Sequence, residues 1–405
     1  MNQARKTFRD GGIDRRTFLN WAGTLAAATG ALSPLARAAD PFRVGWVRPT
    51  TGRFASSYAQ LYVIGLMAID EINAAGGILG RPIQKVEIDD EASPAKEPGV
   101  IKRLQGDGIN YVVGPTGDAQ CMASLPSSTT AQMIQGCFTH GTKAMDGITF
   151  PYSYVLFHSV KMIADLCIDH FHAKGARRIG LLVENTSAGE AATIATKASL
   201  ARYKLEASTI QTFPLGSATL VPYISNLRKA DTEVILSFLG SAPPAALVLN
   251  ALAEVQWFPP ITGHAGLQYE SLLKIVPKEA LQNASSVTYR GLTWGGNEAP
   301  NARSVAFGKK LLSYPEVEAP HNIASGPFYD FLYLLKHVIE QEKTFDTARV
   351  KAALDNVRGF QGVRGRINFT AENHGGVAAE DLVIASVLSQ QDPRSMNSMF
   401  RQRLA

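Results

Sequence analysis

The sequence predicts an α/β fold with two open parallel sheets, and three observations carry that reading. Short apolar or alternating runs recur between segments whose apolar residues are spaced three and four apart, the pattern of strands alternating with helices. The strand–helix order repeats through some 220 residues, more units than one small sheet accommodates. No short-period repeat and no low-complexity linker interrupts it, so a second open α/β domain must be joined to the first by ordinary chain crossings.

The elements follow in order. "RVGWVR" (43–48) reads as a strand running into a "PTTG" turn. Residues 57–75 are helical in pattern, with Leu61, Ile64, Gly65, Ala68, Ile69 and Ile72 on one face, and Gly76-Gly77 stops that helix. "IQKVEIDD" alternates as a strand, 94–106 reads as a helix and "INYVVG" as a short buried strand. The same alternation continues with helix 118–131, strand 133–138, helix 160–174, strand "RIGLLVE" and helix 188–205. Strand "ASTIQTF", helix 219–230, strand "EVILSF", helix 243–255 and strand "PITG" complete it. Ligands of open α/β sheets bind beyond the carboxyl ends of the strands. Function is therefore expected in the loops 49–58, 114–118, 139–143, 184–189, 239–243 and 263–267.

The first 38 residues have the anatomy of an export leader: basic residues, an apolar run from Phe18 to about Leu35, and a small-residue cleavage site at Ala36-Arg37-Ala38. Arg15-Arg16-Thr17-Phe18-Leu19 resembles the twin-arginine export signal, although Asp14 and Asn20 depart from its flanks. Cleavage is expected after Ala38, and the mature protein is expected in the periplasm. The leader also explains the charge. The chain holds 40 Lys and Arg against 35 Asp and Glu. Setting aside the six basic and two acidic residues of 1–38 leaves 34 against 33, which gives no reason to expect nucleic acid or an anionic membrane. Cys121, Cys137 and Cys167 are an odd number, so at least one thiol is free.

Catalytic constellations are missing. There is no HExxH, no CxxC, no GxSxG elbow and no GxGxxG after the first strand. "GCFTHGTK" (136–143) approaches a phosphate-binding loop, but Thr142 precedes Lys143 instead of following it. No catalytic residue, no metal and no cofactor is expected.

The opening "RVGWVRPTTGRFASSYAQLYVIGLMAIDEINAAGGILGRPIQ" resembles that of the type I periplasmic solute-binding proteins, the branch that includes leucine/isoleucine/valine-binding proteins. "YVVGP" and the late run "PFYDFLYLL…FDTARVKAALDNVRGFQGVRGRINFTAENH" resemble further segments of that family, in the same order. The resemblance implies two Rossmann-like lobes joined by three hinge crossings, near 158–161, 288–292 and 373–382. It places 41–159 plus 290–375 in lobe 1, 160–289 plus 376–395 in lobe 2, and 396–405 in a C-terminal tail. It also implies a function: capture of a small solute by lobe closure, and delivery to an inner-membrane ABC permease with its cytoplasmic ATPase. Such a protein is not an enzyme and is expected to be a monomer. The alternatives are a periplasmic sensor serving a signalling receptor, or an amide- or urea-type binding protein.

The resemblance also nominates ligand-binding residues. In amino-acid-binding members the turn after the third strand offers a serine and backbone amides to the ligand carboxylate; here Asp118 stands at that position and either caps its helix or faces the ligand. Thr142, with Thr139 as the alternative, falls in the second carboxylate-holding segment beside His140. Ser241 stands where an aromatic is common, and Ala265, next to His264, where an acid meets the ligand ammonium. Tyr58, Tyr329, Trp46 and Arg48 are candidate wall residues, with Arg48 paired either with Asp118 or with an acidic ligand. These departures from the family pattern put an amino-acid ligand in doubt.

Overall fold

The computed structural model describes residues 40–405 apart from 53–54, 296–297, 300–301, 316, 318–325 and 397–398. The expected leader and its cleavage site lie outside the described residues. The first sheet is built from β1 (Phe42–Arg48), β2 (Ile83–Asp89), β3 (Tyr111–Thr116), β4 (Ile134–Phe138) and β5 (Ser153–Val155). It runs β2-β1-β3-β4-β5, and every pairing is parallel. Helices α1 (Ala55–Ala74), α2 (Glu97–Gly106) and α3 (Asp118–Thr130) supply its crossovers. Strands β3 and β4 are buried at every position, which is why they do not alternate, and the one long polar side chain among them, Gln135, donates to the Gly114 carbonyl and the Ser124 hydroxyl. The three-residue β5 was not foreseen, because "DGITFPYSYV" is turn-rich and too short in any one register to show a period.

The second sheet follows α4 (Val160–Ala173) and holds β6 (Ile179–Glu184), β7 (Ile210–Phe213), β8 (Val234–Phe238) and β9 (Ile261–Gly263) in the parallel order β7-β6-β8-β9. Its crossovers are α5 (Ser187–Ala201), α6 (Val221–Lys229) and α7 (Ala242–Glu254). Ser159 and Thr186 start α4 and α5 by accepting from the amides of Met162 and Gly189, caps worth about 1 kcal/mol each. α5 stops at Ala201, four residues short of the sequence expectation.

The remaining chain holds β10 (Ser285–Tyr289), β11 (Thr293–Trp294), α8 (Ala302–Ser313), α9 (Pro327–Glu342), α10 (Thr347–Leu354), β12 (Phe360–Gln361) and β13 (Arg366–Ile367), then β14 (Leu382–Ser386) and β15 (Arg401–Gln402). β10 pairs antiparallel with β14, and β11 parallel with β15. Helix α9 lies across the first sheet so closely that a Cβ on Gly136 of β4 would sit 2.4 Å from the Phe331 ring. One apolar core runs from the first sheet through α4 to β6, and a second lies beneath α6 and α7. No helix among the described residues is long and apolar enough to cross a membrane.

Both sheets being parallel, each gathers its strand-end loops along one edge. The chain leaves β5 and enters α4 through Leu156–Ser159, which runs past both edges.

Candidate functional site

The strand-end loops of the two sheets meet at a histidine cluster. His140 follows β4 of the first sheet, and His264 follows β9 of the second. Their Nε2 atoms lie 2.5 Å apart, with ring centroids 4.0 Å apart. His158, in the segment between β5 and α4, completes the group with its ring 5.3 Å from that of His140. Each ring is oriented by a neighbour. His140 Nδ1 is 3.2 Å from the His158 carbonyl, His264 Nδ1 is 2.8 Å from the Leu239 carbonyl, and His158 Nδ1 is 2.8 Å from the Tyr289 hydroxyl. A carbonyl only accepts, so both Nδ1 atoms facing carbonyls carry the hydrogen and both Nε2 atoms present lone pairs. Nε2 of His158, on a fully buried side chain, has no protein partner.

Burial holds all three imidazoles below their ordinary range. For His140, proximity of His264 and His158 adds to burial and outweighs the hydrogen bond to the His158 carbonyl. For His158 the further causes are His264 and Arg364. For His264 the Leu239 carbonyl and the Asp118 carboxylate oppose the effect of burial without cancelling it. The three imidazoles are thus held toward the neutral form. Around it stand aromatic surfaces: Phe157 is 4.5 Å from the His140 ring and 4.2 Å from Phe138, and Phe138 meets Tyr58 edge-on at 6.0 Å.

Asp118 is the first residue of α3, set there by Gly117, whose φ of +98° turns the strand into the helix. It does not cap that helix: no side-chain cap bond forms. One carboxylate oxygen instead accepts from the Thr139 hydroxyl, from the His140 amide at 3.1 Å and from the Gly141 amide at 3.0 Å. The carboxylate fills the cradle made by the loop after β4.

The other sequence candidates divide. Thr139 is buried and takes part in that cradle, whereas Thr142 begins a one-turn helix and is exposed. Ser241 precedes α7 at its N-terminus without a side-chain capping bond. Arg48 does not pair with Asp118; it forms an ion pair with Glu87 on the neighbouring strand at 2.5 Å. Asp89, the first of the two acids that close "IQKVEIDD", instead organises the turn after β1, accepting from the amide of Thr50 and the hydroxyl of Thr51. Trp46 is fully buried against Tyr62 and Phe328 and belongs to the core. Tyr329 is not brought to the cluster: its hydroxyl donates to Glu71 near the far end of α1. All three cysteines are free and buried, with no disulfide among them, and burial pushes the Cys167 thiol up to about 12. Sequence reasoning missed His158, Phe138, Phe157 and Tyr289. The only signal for His158 was a histidine directly ahead of the first expected crossing.

Two open parallel sheets whose strand-end loops face one another around a polar cluster define a two-lobed α/β ligand-binding fold. A sequence model described as periplasmic binding protein matches residues 41–392, and the chain belongs to that family. It is similar to a leucine-, isoleucine-, valine-, threonine- and alanine-binding protein of Pseudomonas aeruginosa, 24% identical over 62% of this chain and 71% of the relative. Among solved structures, it resembles a branched-chain amino acid transporter substrate-binding protein from Streptococcus pneumoniae in complex with isoleucine. The TM-score is 0.73 at 20% identity, covering 86% of this chain and 96% of that one. It also resembles an ABC transporter solute-binding protein from R. palustris in complex with benzoate, with a TM-score of 0.72 at 18% identity over 86% and 93% of the two chains.

Proposed function

We propose that this protein is the periplasmic substrate-binding component of an ABC uptake transporter. It is exported by the twin-arginine route, closes two lobes on a solute by bending at the crossings near 158–161, 288–292 and 373–382, and delivers that solute to an inner-membrane permease. The family assignment supports the transport role, and the meeting of His140 with His264 across the two sheets supports closure around this cleft. A ligand that contacts both lobes only when they close shifts the open–closed balance by that difference in affinity.

The solute we infer is a small aromatic or amide-bearing molecule that presents hydrogen-bond donors, not a branched-chain amino acid. One observation carries this: Asp118 already occupies the amides of the loop after β4. A ligand carboxylate placed there would lose those donors and face a like charge, a repulsion of about 4 kcal/mol at ~4 Å and an effective dielectric of about 20. The position expected to meet an ammonium holds Ala265, so that charge would go unpaired as well. The imidazole lone pairs and the carboxylate instead favour hydroxyl or amide donors, flanked by Tyr58 and Phe138 as stacking surfaces. The R. palustris solute-binding proteins in complex with benzoate and with 3,4-dihydroxybenzoic acid share this fold. Mass spectrometry of the solute that co-purifies from native periplasm tests the reading. A phenolic or amide compound in one-to-one ratio is expected, and leucine, isoleucine or valine recovered in that ratio overturns it.

A further inference from the structure

We infer that His140, His158 and His264 form a binding site for a divalent transition-metal cation, of the zinc type, in the cleft between the two sheets. One ligand-competent atom from each residue lies within 4.8 Å of the other two. The argument is one of lone pairs. His140 and His264 both turn Nδ1 to a carbonyl, which only accepts, so each Nδ1 carries its hydrogen, that of His140 shared between the His158 carbonyl and His264 Nε2 at 3.2 Å each, and the two Nε2 atoms that face one another at 2.5 Å are both acceptors. Two acceptors at that distance repel unless a positive charge lies between them. His158 adds a third acceptor-capable atom, its buried Nε2, which has no protein partner.

The surroundings are those of a metal site. Histidines that bind metal characteristically donate their second ring N–H to a carbonyl or carboxylate, which fixes the tautomer and aims the free nitrogen. His140 and His264 are held in that way by the His158 and Leu239 carbonyls. Tetrahedral zinc with nitrogen ligands at about 2.0–2.1 Å needs those nitrogens about 3.3 Å apart. The close pair must therefore open by about 0.8 Å and the widest separation contract by up to about 1.5 Å, within reach of small side-chain rotations. Three protein ligands leave a fourth position open, the arrangement of exchangeable zinc sites, not of closed structural ones. Because His140 and His264 follow strands of different sheets, a bound cation would tie the two sheets together.

The inference stands on the histidine geometry and does not depend on the identity of the solute, so the test is run without any solute. The mature, tag-free protein, stripped with chelator and kept reduced, is titrated with ZnCl2 by calorimetry and with CoCl2 by visible absorption. Saturation at one ion per chain is expected, with a Co2+ ligand-field spectrum of nitrogen ligation and no thiolate charge-transfer band. His264→Gln and His140→Gln should each weaken binding by about 100-fold, whereas His170→Gln, remote from the cluster, should leave it unchanged. Circular dichroism and a thermal melt of each variant separate loss of the site from loss of the fold. Absence of saturable binding in the native protein overturns the inference, as does binding that survives both glutamine variants or a spectrum showing sulfur ligation. Failure of cation binding leaves the solute reading intact, whereas saturable binding would occupy the imidazole lone pairs and leave Asp118, Tyr58 and Phe138 to the solute.

Discussion

The histidine cluster and the Glu71 cluster are both polar groups drawn out of water, yet they differ in one respect. Glu71 accepts from Tyr329 and Tyr333 at 2.6 Å each and from Lys310 at 3.1 Å. Burial alone would raise its carboxyl, but those donors outweigh burial and hold it below its ordinary range. Its hydrogen-bonding capacity is met by the protein itself. At the cleft, the Nε2 atoms of His140 and His264 face one another as acceptors, and Nε2 of His158 has no protein partner. A buried polar group costs free energy when left unpaired and little when paired. The paired cluster therefore fastens α9 to α1, while the histidine cluster carries the proposed ligand contacts. Tyr329 and His264 were nominated alike, and the structure places the first in the Glu71 cluster and the second beside His140.

The largest break in this contrast is Asp118→Ala. It removes a charged acceptor from a hydroxyl and two amides, so the loop after β4 should loosen and stability should fall by about 2–4 kcal/mol in urea unfolding. Asp118→Ser is milder and frees the two amides for a ligand carboxylate; leucine affinity measured by calorimetry should rise. A smaller effect is expected at Glu97, the first residue of α2. It is fully buried, and burial, together with the neighbouring Asp90, pushes its carboxyl up to about 9. The fold thus keeps a proton that the unfolded chain releases above its ordinary value near 4.5. The stability this contributes is complete below that value and is lost as pH rises toward 9. Glu97→Gln should raise stability at pH 8 by about 2 kcal/mol, with the gain vanishing near pH 4 in a series of thermal melts. The smallest effect belongs to Tyr329→Phe. It takes one of several donors from Glu71 and should cost about 1 kcal/mol. Because Glu71 is depressed, its contribution is present above its ordinary value and lost as pH falls through the folded one, so the variant should flatten acid unfolding. Solute affinity should not change. A marked loss of binding in Tyr329→Phe would erase the distinction between the two clusters.

Most of the fold could be read from the chain because its signals are local. The strand ends at Arg48 and Phe138 and the start of α4 at Val160 fall where the sequence placed them, whereas β3 runs two residues past Gly114 to Thr116 and α5 begins one residue ahead of 188. Strand β5 escaped because three residues carry no period. The site was less legible because its geometry is set by contacts distant in sequence. His140 and His264 stand 124 positions apart, and nothing local marks their meeting. Asp118 could be placed at the start of a helix, but whether it capped that helix or turned to the loop after β4 depended on where Thr139 and Gly141 would lie. Arg48 had two eligible partners in the sequence reading and took a third, Glu87, because parallel pairing of β1 with β2 sets that residue opposite Trp46, two residues away and on the same face.

The central claim is that this cleft accepts hydrogen-bond donors and rejects an α-amino-acid carboxylate. Calorimetric titration of ligand-stripped mature protein with benzamide, benzoate and leucine tests it most directly. The account predicts saturation at one site per chain by the uncharged amide, weaker binding of the benzoate anion, and leucine at least about 100-fold weaker than the first, for a deficit of about 3 kcal/mol. Submicromolar binding of leucine with no response to benzamide would contradict it.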